Sequence, residues 1–122
     1  DEILVYGYVE SRNEYETWLK KGAIVVSCAI QENFGISIVE AVRSGCIPLL
    51  PDRLSYPEIM PGPLHSKVLY QTAQDFLKKL EDMLVNYKDY LPLQKQLSSD
   101  MEHFSWETLV KQYDSILEDF LL

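Results

Sequence analysis

Residues Gln31–Ala41 read Q-E-N-F-G-I-S-I-V-E-A, and the change of character at Gly35 decides how the rest of the chain is read. A polar loop precedes the glycine. Beyond it Ile36, Ile38, Val39 and Val42 are apolar, and Gly45 closes the run as a helix C-cap. A helix opening at Phe34 or Gly35 aims its free backbone N–H groups back toward Glu32. Such an end carries about half a positive charge and suits phosphate. Gly35 lets a ligand reach the backbone with no Cβ in the way. Glu40 falls about a turn and a half into the helix, its side chain tilted toward the N-terminus. Glu32 and Glu40 therefore border one small volume at the helix mouth. Carboxylates repel phosphate there but accept hydrogen bonds from the hydroxyls of a sugar or ribose. On spacing alone, an acidic surface helix with a solvated glutamate fits equally well.

Outward from this stretch the chain alternates strands and helices. Ile3–Tyr6 is predicted as a buried parallel strand ending at Gly7. Ser11 and Glu14 form a capping box that opens a helix with Tyr15, Trp18 and Leu19 on its buried face, and Gly22 ends it. Ala23–Ser27 is a second strand, Ile47–Leu50 a third bracketed by Pro48 and Pro51, and Val68–Tyr70 a short fourth. Thr72 caps a helix reaching to about Tyr87, with Phe76, Leu77, Leu80, Met83 and Leu84 along one side. A shorter helix follows over 90–101. Ser105 caps the last one, whose stripe is Trp106, Leu109, Val110, Tyr113, Ile116, Leu117 and Phe120. This alternation predicts an α/β fold, a parallel sheet with helices on both faces. Ligands bind such sheets beyond the carboxyl ends of the strands, where the Glu32–Glu40 stretch falls.

Composition narrows the function. A chain of 122 residues is one domain at most, and 47% hydrophobic with 25% charged residues is ordinary globular content. No apolar run nears the roughly 20 residues that span a bilayer, so a membrane role is not expected. The chain starts at Asp1 and enters a strand almost at once, which reads as a piece of a longer protein. A net charge of −8 disfavours a nucleic-acid surface, because phosphate contacts need a basic patch. Cys28 and Cys46 lie in apolar settings without metal-ligand or disulfide spacing, as expected of reduced, partly buried thiols in a cytoplasmic protein. His65 and His103 stand far apart, without ligand-spaced partners. No metal site, Walker loop or Ser–His–acid set is evident. Glu81–Asp82 and Glu118–Asp119 read as solvated helix faces.

The pattern E-x-F-G…E-A, with seven residues between the acids, resembles the donor-site motif of retaining GT-B glycosyltransferases. Three further stretches resemble the tRNA-queuosine mannosyltransferase family. They are G-Y-V-E-S-R-N-E-Y at 7–15, G-C-I-P-L-L-P-D-R-L-S-Y-P-E-I-M-P at 45–61, and F-S-W at 104–106. Asn33 departs from that pattern, which has an aromatic or small residue there.

This resemblance implies a Rossmann-like sheet, the C-terminal donor-binding domain of a GT-B enzyme spanning residues 1–122, with its first strands and its N-terminal domain absent. The implied donor is a nucleotide sugar, GDP-mannose for this family, and the implied acceptor is queuosine in tRNA, held mainly by the missing domain. No cofactor or metal is implied, because helix amides and basic side chains carry the diphosphate charge. Glu32 would be the catalytic group, orienting sugar hydroxyls beside the anomeric carbon. Asn33 would belong to the donor loop, the amides of Phe34, Gly35 and Ile36 would hold the diphosphate, and Glu40 the ribose. Tyr8 and Val9 either meet the nucleotide base or form a half-buried turn. Arg53 either touches the donor or makes a surface ion pair. The chain alone is expected to be inactive. Rival readings are a non-catalytic nucleotide-binding module, a structural fragment, and a transferase of the same fold with a glycan or lipid acceptor. Missing inner strands also predict that Ile3–Tyr6 pairs with Ala23–Ser27, or that copies of the chain associate through that bare edge.

Overall fold

The strand Ile47–Pro51 lies at the centre of the molecule, and every one of its residues is buried. The computed structural model describes residues 3–5, 7, 9–28, 36–53, 56–102 and 106–121, and the backbone alone of 36, 106–109, 112, 113 and 121. In chain order the elements are α1 (Arg12–Lys21), β1 (Ile24–Val26), α2 (Ile36–Arg43), β2 (Ile47–Pro51), α3 (Tyr56–Ile59), α4 (His65–Val68), β3 (Leu69–Tyr70), α5 (Ala73–Val85), α6 (Leu91–Met101) and α7 (Trp106–Leu121). The strands form a three-stranded parallel sheet in the order β1-β2-β3, with the helices around it, a Rossmann-like α/β arrangement.

Register explains how a proline-rich strand can be central. Ile24, Val25 and Val26 pair with Ile47, Pro48 and Leu49, while Leu50 and Pro51 pair with Leu69 and Tyr70. Ile47 donates its N–H to Ala23 at 2.8 Å, so odd positions face β1 and Pro48 faces the other side, before β3 begins. Its missing N–H thus falls where no ladder partner stands.

Helix ends follow the sequence closely. The Ser11 hydroxyl accepts from the Glu14 N–H at 3.3 Å, and Thr72 accepts from Asp75 at 3.1 Å. At the end of α2, Gly45 takes φ +110° and donates to Val42 at 3.0 Å, while Cys46 donates to Ala41 at 3.1 Å. That pair of bonds is the Schellman closure expected of a glycine at this position. Helix α6 satisfies carbonyls left over there: Ser98 Oγ donates to Arg43 at 2.8 Å and Gln94 Nε2 to Gly45 at 3.0 Å. Ile38, Val39, Val42, Leu93, Leu97 and Met101 fill the space between α2, α6 and the sheet.

Several expectations are corrected. Ile3–Val5 is not a strand, and all three side chains are exposed, Leu4 at 78%. Ion pairing and packing dock α1 against α2. The segment before α1 lines one cavity with Trp18 and Leu19. Tyr15, Trp18 and Leu19 are consequently half-buried instead of buried. The α5 stripe narrows to Phe76, Leu80 and Met83, because that helix packs along one line against β2 and β3; Leu77 and Leu84 stay exposed. In α7, Ile116, Leu117 and Phe120 are exposed, while the side chains of Trp106, Leu109 and Tyr113 lie outside the described residues, as do Ser105 and His103. Cys28 is exposed, whereas Cys46 is buried with its thiol turned to the carbonyls of Leu19 and Gly22. Burial pushes the Cys46 thiol above its ordinary pKa. His65 bonds the carbonyl of Met60 at 2.8 Å, an ordinary structural contact.

Candidate functional site

Helix α2 presents Glu40 on the side that meets α1, and α1 begins with the residues that meet it. Arg12, the first residue of α1, places Nη2 3.3 Å from Glu40 Oε1 and Nε 3.2 Å from Glu16 Oε1. Its guanidinium lies 5.5 Å from the centroid of the Tyr15 ring. Hydrogen bonds to Glu16 and then Glu40 hold Arg12 still more firmly protonated. Tyr15 also faces Glu40: burial first, then the Glu40 charge and a hydrogen bond to it, raises the phenol pKa above its ordinary value. Each residue of the trio follows from helical spacing, Arg12 and Tyr15 being three apart on one face of α1.

These groups form one wall of a cavity of about 700 Å³. Gly7, Val9, Glu10, Arg12, Tyr15 and Glu40 line it together with Leu4, Val5, Trp18 and Leu19. Gly7 takes φ +96°, a left-handed conformation that glycine adopts freely, as the chain turns into this wall. A second cavity of about 300 Å³ lies on the other side of the Arg12–Glu40 pair, lined also by Glu16, Lys20, Arg43 and Glu102. The first cavity combines carboxylates with apolar and aromatic side chains, the chemistry of a polyol site. Carboxylates accept from hydroxyls, and Arg12, Val9 and Tyr15 offer a cation and flat or apolar surfaces.

The structure thus brings Val9 and Glu40 to one cavity. Arg53 stands apart in the loop after β2, exposed, with its N–H on the carbonyl of Pro51 at 2.8 Å, and does not line that cavity. Tyr8, Glu32, Asn33, Phe34 and Gly35 lie outside the described residues, and of Ile36 the backbone is described, within α2. Arg12, Tyr15 and Glu10 were not singled out from sequence. One signal was there to find: an arginine at the first position of a helix, where a cation opposes the dipole. Among the described residues no group of three or more His, Cys, Asp or Glu is arranged to hold a metal. Among them too, no helix is long and apolar enough to cross a membrane.

Fold and site together define a Rossmann-like α/β chain with a carboxylate-bearing cavity where two helices meet. The chain is similar to the tRNA-queuosine alpha-mannosyltransferase of Drosophila melanogaster, 33% identical over 114 residues, which is 92% of this chain and 29% of that protein. The two are related, and the chain spans under a third of its relative. No family model matches the chain. No solved structure matches it either.

Proposed function

We propose that this chain is the donor-binding part of a retaining glycosyltransferase that moves a hexose from a nucleotide sugar, mannose from GDP-mannose, to queuosine in tRNA. The observation that carries the reading is the meeting of Val9 and Glu40, which were assigned to base and ribose, at one cavity. Similarity to an enzyme named as a tRNA-queuosine alpha-mannosyltransferase over 92% of the chain supports the donor and acceptor classes.

In this reading the base lies against Val9 and Tyr8, and Glu40 accepts from the ribose hydroxyls. The amides of Phe34, Gly35 and Ile36 take the diphosphate at the positive end of α2. Glu32, with Asn33 beside it, orients the sugar and stabilises positive charge developing at the anomeric carbon. The bond from that carbon to the phosphate oxygen breaks as the acceptor oxygen bonds on the same face. The acceptor proton passes to the departing phosphate. No metal is needed where amides carry the diphosphate charge, and Arg53 would approach the donor only from the loop after β2. With a net charge of −8, the grip on tRNA comes from residues outside this chain.

Calorimetric titration with GDP, GDP-mannose and UDP-sugars tests the proposal. Tighter binding of GDP-mannose than of GDP or any UDP-sugar is expected. Equal binding of all nucleotides would favour a non-catalytic nucleotide module, and no binding a structural role.

A further inference from the structure

We propose that Arg12 is the positioning residue for Glu40, and that through it the cavity distinguishes a ribose from a sugar lacking its 2′- and 3′-hydroxyls. This rests on the reading of Glu40 as the ribose-binding carboxylate. Arg12 occupies the first position of α1, where a cation opposes the helix dipole, and it stays there against two carboxylates. Stability does not account for it. The Arg12 side chain is 65% exposed, and exposed ion pairs contribute little.

Geometry does account for it. Glu40 is 24% exposed and stands on the wall between the two cavities, free in principle to turn its carboxylate toward either. Arg12 takes Oε1 at 3.3 Å, and Tyr15 lines the same cavity from one turn further along α1. The Glu16 bond at 3.2 Å in turn fixes the guanidinium, a planar fork with defined donor directions. A carboxylate accepts about four hydrogen bonds, so one held this way keeps capacity for a diol. Arg12 is also the one cation lining the larger cavity among the described residues, which Glu10 and Glu40 line as well. Without it Glu40 loses the partner that fixes its direction.

The test is calorimetry with GDP and 2′,3′-dideoxy-GDP on the parent chain, Glu40→Gln, Arg12→Gln and Arg12→Lys. The parent should prefer GDP by roughly tenfold, the worth of a charge-assisted hydrogen bond. Arg12→Gln should lose most of that preference, as Glu40→Gln does, while both bind the dideoxy nucleotide like the parent. Arg12→Lys should restore part of the preference, and melting temperatures should stay level. Arg12→Gln keeping the parental ratio while Glu40→Gln loses it would overturn the positioning role and leave the proposed function standing. Equal weakening of both nucleotides by Arg12→Gln would make Arg12 a plain diphosphate countercharge, and overturns it too. A parent that does not distinguish the two nucleotides, or a Glu40→Gln variant that still does, removes the ribose role of Glu40 itself.

Discussion

Glu40 and Gly45 show how much single residues do here. Glu40 sits four residues before the Ser44 N–H that its carbonyl accepts at 3.1 Å, so the helical turn that carries the carboxylate is the one that Gly45 ends. Gly45 has no substitute there. At φ +110° an L side chain is strained, and a Cβ would meet Gln94 Nε2 at 2.9 Å. Gly45→Ala should destabilise by roughly 1–2 kcal/mol and lower Tm by several degrees, measured by calorimetric melting. An unchanged Tm would mean that the Gln94 contact and the left-handed turn carry no strain. This residue was legible in the sequence, because a glycine after an apolar helical run has one common use. Arg12 was not, because its partner is 28 residues away and only the docking of α1 on α2 brings the two together.

Among the elements, caps and apolar periodicity identified α1, α2, β2, β3, α5 and α6 to within a few residues, since each is decided by neighbours in sequence. Besides the strand expected over Ile3–Val5, what failed was burial: the stripes of α1 and α5 depend on what covers them, which periodicity does not specify. The junction of α5 and α6 has its own pH signature. Tyr90 donates a short hydrogen bond to Asp82, and Asn86 Nδ2 donates to the same residue at 2.8 Å. These bonds, Tyr90 first, hold the Asp82 carboxyl below its ordinary pKa, and the Gln71 N–H does the same for Asp75. Both groups bind fewer protons folded than unfolded as pH falls through the carboxylate range. Their contribution is complete above about pH 5 and is lost below about pH 4. On the alkaline side, burial and then Asp82 push Tyr90 up to about 12. Unfolded tyrosine ionises near pH 10, so folding loses this contribution between roughly pH 10 and 12. Tyr90→Phe should flatten both slopes in a plot of Tm against pH, and slopes identical to the parent's would contradict the assignment.

At the scale of the molecule, β1 is an edge of the sheet among the described residues, and its Val26 is 47% exposed, with Ile3, Leu4 and Val5 exposed as well. Residues 3–5 form no strand, and we propose that association between copies of the chain covers this edge. Light scattering should find dimers or larger species that Val26→Lys disperses; a monomer at every concentration would end that proposal. Fold class was legible from the alternation of strands and helices, but the edge of the sheet was not, because what covers a strand is decided by residues distant in sequence. The central claim is our proposal that a nucleotide sugar binds in the cavity lined by Glu40 and Val9, with Glu32 on the sugar. Its most direct test is calorimetric titration of GDP and GDP-mannose into the parent chain, Glu40→Gln and Glu32→Gln. We predict that Glu40→Gln weakens both ligands by about one to two decades, while Glu32→Gln removes the preference for GDP-mannose over GDP. Parental binding of GDP by Glu40→Gln, with loss of GDP binding in Glu32→Gln, would contradict it.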